Sequence, residues 1–335
     1  MVLSFFLCTL KPTSAGDMIR STSLNEVETE VKDGVTRIDY VDSDGEITYA
    51  ADKSYASLLK TTVNKTILYE YFDATGKPAK QLGGYYAARY TFNDLNQNEQ
   101  IEYLGIDKSP IIISSGFSIE RHLFNDEGQL EWVHYLDANG SPVRTEVYGY
   151  GCYKKYNEIG DNVETVYLNQ EDFPMITSQG FAIKQMEYYE AGSQKGKLKY
   201  QFYFDEGENP IALSLGQYGI YKEYDEFGRG TVTTFLDKNR KPTMTTAGYS
   251  TVIRTFYEDD SVRTEMYFDA SGEPVRLSEG QYGIKYVDGR IVYLNRNGNK
   301  LFNLKLALYN SEWLVVLGCI FLLQSQILWD KGLRI

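Results

Sequence analysis

Seven of the eight prolines recur at one interval, and this periodicity constrains the fold more than any other feature. They are Pro78, Pro110, Pro142, Pro174, Pro210, Pro242 and Pro274. Neighbours are 32 residues apart, except for one gap of 36 that contains AGSQKGK, residues 191–197, interpreted as a lengthened loop. A period of this size is typical of an array in which each repeat buries its apolar face against the next.

Other residue types keep the same phase. Glycine stands six residues after six of the prolines, and an aromatic residue stands fourteen residues after six of them. Tyrosine or phenylalanine stands seven residues before every one. Degenerate copies extend the pattern to residues 40–47 (YVDSDGEI) and 293–300 (YLNRNGNK). The sequence therefore predicts a repeat array over residues 34–303 with altered end repeats.

Each repeat carries the pattern of a β-hairpin. In residues 129–136, Leu130, Trp132 and His134 alternate with residues of the opposite face, which is typical of a half-buried strand. A partner strand is predicted over residues 116–124, and two strands alone cannot bury a face. We predict an all-β fold of tandem β-hairpin repeats, arranged as a β-solenoid or an elongated twisted antiparallel sheet. Closure into a propeller or barrel is the alternative.

Composition supports this fold and argues against one class of partner. The chain has 29 tyrosines and 29 glycines in 335 residues, and these residues favour strands and tight turns. The formal net charge is −12 and no cluster of Lys and Arg stands out, whereas binding to a phosphate backbone requires one. We therefore expect no nucleic-acid partner.

The N-terminal residues are apolar. Residues 1–16 are interpreted as a truncated signal peptide or membrane segment, although no basic residue precedes the apolar run. A strand packed under the first repeat is the alternative. Residues 17–33 are interpreted as a linker.

The C-terminal residues predict a membrane tether. After a linker at residues 304–312, residues 313–329 carry no charge, and these 17 residues reach the lower limit for a spanning helix of about 17–25 residues. Lys331 and Arg334 follow, so the positive-inside rule predicts a cytoplasmic tail at residues 330–335 and an array outside the cytoplasm. A buried or amphipathic terminal helix is the alternative.

One turn resembles the start of a calcium loop. Residues 135–142 (YLDANGSP) hold Asp137, Asn139 and Gly140 in EF-hand order, but later ligands and a closing glutamate are missing. The copies of this segment keep Asp or Asn first and often a glycine, which is turn chemistry. We predict a structural turn, no metal site and no cofactor.

No catalytic motif is apparent. Cys152 shares its position in the repeat with Ile220 and Ile284, so we interpret it as a core residue. His122 and His134 are the two histidines, and no nucleophile motif accompanies them. We predict a non-enzymatic protein, and the repeat that holds the histidines is where an enzyme site would have to lie.

Tyrosines after the phased glycines are candidate ligand-stacking residues. They are Tyr86, Tyr150, Tyr218, Tyr249 and Tyr282. Rows of exposed aromatic rings stack on sugars or peptides, because each combines apolar area with a polar tip. Packing between repeats is the alternative role.

The segments YFDASGEPV and YLDANGSPV resemble the tyrosine-rich hairpin repeats of bacterial surface proteins. Shared features are found with the YD repeats of Rhs proteins, with MORN-like repeats and with cell-wall-binding repeats. The resemblance covers roughly residues 34–300 and rests on turn and aromatic positions. It implies an exported, non-catalytic module and assigns no binding residue.

These observations predict a binding or spacer domain at the cell membrane, with its array outside the cytoplasm. The expected partners are the membrane, through residues 313–329, and a cell-wall glycan or another surface protein. The alternative is an accessory ectodomain of a larger membrane enzyme that handles cell-envelope polymers.

Overall fold

The computed structural model describes residues 25–49 and 53–301, and every regular element in this part of the chain is a β-strand. The strands are β1 (Asn25–Lys32), β2 (Val35–Val41), β3 (Ser57–Val63), β4 (Thr66–Phe72), β5 (Ala87–Phe92), β6 (Asn98–Leu104), β7 (Ile119–Phe124), β8 (Leu130–Leu136), β9 (Gly151–Tyr156), β10 (Asn162–Leu168), β11 (Ile183–Tyr188), β12 (Leu198–Phe204), β13 (Gly219–Tyr224), β14 (Gly230–Leu236), β15 (Thr251–Phe256), β16 (Val262–Phe268), β17 (Gly283–Val287) and β18 (Arg290–Leu294). The predicted all-β array of tandem hairpins is confirmed.

The chain divides into two compact units. The N-terminal unit contains the described residues up to 122 together with 135–143, and the C-terminal unit contains 123–134 and 144–301. In the N-terminal unit strands β1 to β7 pair antiparallel in chain order, from the pair β1–β2 to the pair β6–β7. In the C-terminal unit the same holds from β8 to β18. Within either unit, the described strands pair only with sequence neighbours, so the closed alternative is not found.

The segment before six of the seven phased prolines is an Asx turn, and the turn before Pro110 has Gly105 in place of the Asp or Asn. In residues 73–77, the Asp73 carboxylate accepts hydrogen bonds from the amides of Thr75 (2.8 Å) and Lys77 (2.9 Å). Gly76 has a φ of +80°, in the left-handed region that glycine enters without strain. The chain then returns alongside the strand that it has just left, and Pro78 bridges to Phe72. The proline therefore stands where a strand ends.

Each repeat contains a further turn that the sequence did not predict. Residues 80–85 leave the strand direction as a loop, closed by bonds from the Gln81 amide to the Tyr85 carbonyl and from the Gly84 amide to the Gln81 carbonyl (both 2.8 Å). The phased glycine belongs to this loop, since Gly84 has a φ of +97°. The strand predicted to begin at Gly116 accordingly begins at Ile119 instead.

The aromatic residues seven positions before the prolines alternate with aromatic residues from the loops and build an aromatic ladder along each unit. In the N-terminal unit, neighbouring ring centroids lie 4.6–6.0 Å apart along Tyr40, Tyr55, Tyr71, Tyr85, Tyr103, Phe117 and Tyr135. The C-terminal unit continues the pattern with Tyr148, Tyr167, Phe181 and Tyr203, and again with Phe235, Tyr249 and Tyr267. Tilted and edge-on ring pairs are each worth about 0.5–1.5 kcal/mol beyond their buried area. The ladder therefore supplies the core that isolated hairpins lack.

A second set of aromatics links neighbouring repeats through hydrogen bonds. These residues stand fourteen positions after their prolines. The hydroxyls of Tyr156, Tyr188 and Tyr224 donate to carbonyls of the preceding hairpin, namely Leu130 (2.6 Å), Asn162 (2.7 Å) and Leu198 (2.9 Å). Each phenol satisfies a backbone oxygen at the end of a strand.

Two repeats differ from the others in loop length, and the longer loop was predicted. Between β11 and β12, residues 189–197 form a lengthened loop in which the Tyr189 amide bonds to the Lys197 carbonyl at 3.0 Å. Between β17 and β18, Asp288 and Gly289 both have positive φ, of 47° and 72°, which is typical of a two-residue hairpin turn.

Part of the predicted linker at residues 17–33 lies within the described residues. Residues 25–32 form β1, which folds back on β2 through the turn at Gly34. All eight residues of β1 are exposed, and Glu26, Glu28 and Glu30 alternate with Val27, Thr29 and Val31.

The segments predicted at residues 1–16, 304–312, 313–329 and 330–335 lie outside the described residues. Across residues 25–49 and 53–301, no helix of the length and apolarity needed to cross a bilayer is found.

Candidate functional site: a tyrosine row and paired loops

Two kinds of repeat alternate along the chain. Counting from each phased proline, position eight is occupied in turn by Tyr86, Ser118, Tyr150, Ala182, Tyr218, Ser250 and Tyr282. Position nine alternates with it, because Ala or Gly follows each tyrosine and Ile or Thr follows each small residue. We call these Tyr-type and small-type repeats. The sequence carries this alternation, but a 32-residue repeat pattern combines the two kinds of repeat and hides it.

Local packing explains why glycine follows the tyrosine. A Cβ atom added to Gly219 would lie 2.5 Å from the Gln201 carbonyl oxygen, and one added to Gly283 would clash in the same way with the Glu265 carbonyl oxygen. At Gly151 the equivalent distance, to the Val133 oxygen, is too short for any side chain. In the three Tyr-type repeats of the C-terminal unit the preceding strand therefore approaches the backbone closely. The alternation belongs to the fold as well as to the sequence.

The row tyrosines are Tyr86 in the N-terminal unit and Tyr150, Tyr218 and Tyr282 in the C-terminal unit. Each is half-buried. Within the described residues, none of their rings stacks on another aromatic ring and none of their hydroxyls has a hydrogen-bond partner. These are four of the five predicted ligand-stacking residues.

Tyr249, the fifth, occupies a different place. It stands at position seven and lies in the aromatic ladder, 5.8 Å from the Phe235 ring and 4.9 Å from the Tyr267 ring. Its neighbour Ser250 takes position eight and is fully buried. Tyr249 therefore packs between repeats, which is the alternative role considered above.

The loops at positions two to seven associate in pairs. The Ser114 amide bonds to the Gly83 carbonyl (2.9 Å), the Ser178 amide to the Glu146 carbonyl (3.3 Å) and the Thr246 amide to the Leu215 carbonyl (2.9 Å). Each bond joins the loop of a Tyr-type repeat to that of the next small-type repeat. In the described C-terminal unit, no backbone hydrogen bond joins loops 175–181 and 211–217, or loops 243–249 and 275–281. The structural module is therefore two repeats long.

Two of the loop pairs enclose open clefts. In the N-terminal unit a cleft of about 560 Å³ lies between loops 80–84 and 112–114. Leu82 and Ile112 flank it with exposed fractions of 87% and 62%. In the C-terminal unit a cleft of about 410 Å³ lies between residues 144–146 and 176–178. The two clefts occupy equivalent positions in their modules.

Burial also affects the ionisation of the ladder tyrosines. Burial raises the pKa of Tyr71 and Tyr103 well above the ordinary phenol value, and it raises the pKa of Tyr167 to about 12. The low-polarity surroundings disfavour the phenolate. These rings are held neutral in the core and are not presented to a ligand.

The histidines and Cys152 lie in dissimilar surroundings. His122 is buried, and its Nδ1 and Nε2 atoms lie 2.9 Å from the Asn98 carbonyl oxygen and the Glu120 carboxylate. His134 stacks on Trp132 and contacts the Asp172 carboxylate at 3.0 Å. Cys152 is buried, as expected of a core residue.

Asp137, the first residue of the calcium-like segment, is engaged by its own turn. Its carboxylate accepts the amides of Asn139 (2.8 Å) and Ser141 (2.9 Å). Gly140 has a φ of +81° and closes the turn. The predicted structural role is confirmed.

No family model matches this chain, and no curated protein matches it. Among solved structures it is similar to a chain of the Photorhabdus luminescens Tc holotoxin pore carrying a mutation in TccC3, with 9% identity and a TM-score of 0.32 over 79% of this chain and 12% of that one. It is also similar to a chain of the TcdB2–TccC3–TEV crystal structure, with 7% identity and a TM-score of 0.28 over 79% of this chain and 16% of that one. The present chain thus spans about an eighth to a sixth of the toxin chains that it resembles. Likenesses this remote carry no argument about what it binds.

Proposed function

We propose that this chain is a non-catalytic binding module at the cell surface, whose row tyrosines stack on the sugar rings of a cell-wall glycan. The proposal includes an array outside the cytoplasm, in solenoid or elongated-sheet form, and a membrane tether at residues 313–329. The observation that carries it is the tyrosine row, since rings that serve the core of this protein pack against other aromatics and the row tyrosines do not.

The chemistry of the row suits a sugar ring. A tyrosine offers an apolar face and a hydroxyl at its edge, and the row hydroxyls are available for hydrogen bonds. In the C-terminal unit, successive row tyrosines are separated by four strands. At a strand spacing of about 4.8 Å, that separation is about 19 Å along the sheet. Such regular spacing favours an extended polymer over a compact ligand.

Retention on purified cell walls tests the proposal. The full chain is incubated with insoluble peptidoglycan, and Tyr218→Ala and Tyr282→Ala are compared with the parent protein. We expect each substitution to weaken binding about tenfold, equivalent to about 1.4 kcal/mol of stacking. Tyr218→Phe retains the ring and should bind nearly as well.

Tyr49→Ala is a matched control, because Tyr49 is 49% exposed and stands outside the row. Unchanged melting temperatures establish that the variants fold. Retention that survives the double substitution Tyr218→Ala/Tyr282→Ala would refute the binding role of the row.

A further inference from the structure

We infer that the two open clefts between paired loops each bind one anionic group, so that the glycan recognised by this chain is an acidic one. This inference rests on the proposed function and adds the chemical class of the polymer. These two loop-pair clefts lie at residues 80–84 with 112–114, and at residues 144–146 with 176–178.

Position two of the repeats provides the first argument. In Tyr-type repeats it is basic in three of four cases, with Lys80, Arg144 and Arg276, and it is Ala212 in the fourth. In small-type repeats it is a large apolar residue, with Ile112, Ile176 and Met244. Each loop-pair cleft therefore has one basic wall and one aliphatic wall. The third loop pair has Ala212 and Met244 instead and serves as an internal comparison.

The basic residues of the clefts lack acidic partners. Both Lys80 and Arg144 are exposed, and within the described residues neither makes an ion pair or a side-chain hydrogen bond. Several other arginines of the sheet are paired, as in Arg254 with Glu265 at 2.7 Å and Arg229 with Asp225 at 2.7 Å. In a chain of net charge −12, acidic residues outnumber basic ones, so an unpaired cation beside an apolar wall is a recognition element for an external anion.

The two clefts differ in one charge, and this makes the inference specific. Glu146 lines the cleft of the C-terminal unit beside Arg144, whereas no acidic residue lines the cleft of the N-terminal unit. We expect the Lys80 cleft to bind an anion more tightly than the Arg144 cleft. The overall negative charge repels acidic polymers at long range, but screening over about 8 Å at physiological salt confines that effect. Recognition must therefore be local.

The remaining groups of the clefts suit a glycan. Ser114 and Ser178 bring one hydroxyl to each cleft, at equivalent positions. Ile112 and Ile176 provide the apolar surface that the carbon face of a sugar covers. The anion on such a polymer is a phosphate or a carboxylate, and both would be held by Lys80 or Arg144.

The test uses the full chain and four defined polymers measured by titration calorimetry. They are poly(glycerol phosphate), oligogalacturonate, the uncharged N-acetylglucosamine hexamer and poly-L-glutamate. We expect one or both acidic glycopolymers to bind with two sites per chain, at least tenfold more tightly than the neutral oligomer, and more weakly as salt is raised. Which of the two binds identifies phosphate or carboxylate as the recognised group.

Substitutions localise the effect. Lys80→Gln and Arg144→Gln should each remove one site, and Glu146→Gln should strengthen the weaker one severalfold. Lys238→Gln, in an exposed turn of the third module, is the matched control and should change nothing.

The outcomes separate this inference from the proposed function. If the neutral oligomer binds through Tyr218 and Tyr282 while the acidic polymers gain nothing from Lys80 and Arg144, the inference is overturned and the proposed function stands. Equal binding of poly-L-glutamate would replace the glycan with an acidic peptide and overturn the inference. Binding of none of the four would overturn both.

Discussion

Replacing Glu208 by glycine should stabilise the C-terminal unit. Glu208 has a φ of +61° in the turn that starts at Asp205, whereas Gly76, Gly140 and Gly272 occupy the same position in sister turns with φ of 80–86°. A residue with a Cβ atom pays about 1–2 kcal/mol in this region. Glycine loses about 0.5–1 kcal/mol more conformational entropy on folding. The difference predicts a gain of about 0.5–1 kcal/mol in the free energy of unfolding.

Equilibrium unfolding in urea measures this gain as a higher midpoint at constant slope. Lys108→Gly is the informative comparison, because Lys108 has a φ of +65° but also forms an ion pair with Glu70 at 2.8 Å, so its gain should be smaller. The reverse change, Gly272→Ala, should cost about 1 kcal/mol through backbone strain alone, since no atom lies within 4 Å of the added Cβ. A destabilised Glu208→Gly variant, or a neutral Gly272→Ala variant, would refute the reasoning.

Four further predictions concern the core, the ionisable groups and the module. Leu168→Ala should lower the free energy of unfolding, measured by calorimetry, by about 3 kcal/mol, because Leu168 is 2% exposed beside Val166 and Ile183. For Ile159→Ala the same measurement should show a loss of less than about 0.5 kcal/mol, because Ile159 is 68% exposed. Burial raises the pKa of Tyr90 and Tyr167 to about 12. The free energy of unfolding should therefore keep its full value below pH ~10, where free phenols titrate, and should fall as the pH rises towards 12. Tyr167→Phe should flatten that fall, and an unchanged pH profile would contradict the raised pKa of Tyr167. Hydrogen bonds from the Asn209 amide to Asp205 and from the Lys241 amide to Asp237 lower the pKa of both carboxylates. These carboxylates therefore stabilise the fold above pH ~4 and lose that effect as acid protonates them. The melting temperature of Asp205→Asn should depend less on acid pH than that of the parent protein. Deleting residues 210–273 removes one whole two-repeat module and should leave a protein that unfolds cooperatively. Deleting residues 242–273 removes half a module and leaves the Leu215 carbonyl without the Thr246 amide, so the unfolding transition should broaden. Equal behaviour of the two deletion variants would argue against a two-repeat module.

The repeat boundaries were predictable from sequence because turn chemistry is local. Asp73 caps its own backbone, and Pro78 stands beside the strand that it ends, so period and composition locate both. The loop at residues 80–85 was not predictable in the same way. Its glycine was visible, but a glycine with positive φ serves a strand-to-strand turn and a protruding loop equally well.

The candidate site was predictable in part. Position in the repeat identified Tyr86, Tyr150, Tyr218 and Tyr282, yet it grouped Tyr249 with them because Tyr249 also follows a phased glycine. One residue of offset moves a side chain from the row into the aromatic ladder, where Phe235 and Tyr267 enclose it. The paired loops depend on contacts between residues about 30 positions apart, such as Gly83 and Ser114, which no local pattern encodes.

The first strand has a consequence for how far such a sheet can grow. A strand at the margin of a sheet offers unpaired amides and carbonyls to any neighbouring molecule. In β1, all eight residues are exposed, and Glu26, Glu28 and Glu30 place a carboxylate at every second residue. A second molecule approaching through its own β1 would bring the same charges opposite these, and like charges facing across strands repel. Among the described strands β1 pairs only with β2, and its row of carboxylates discourages a second molecule from pairing through it.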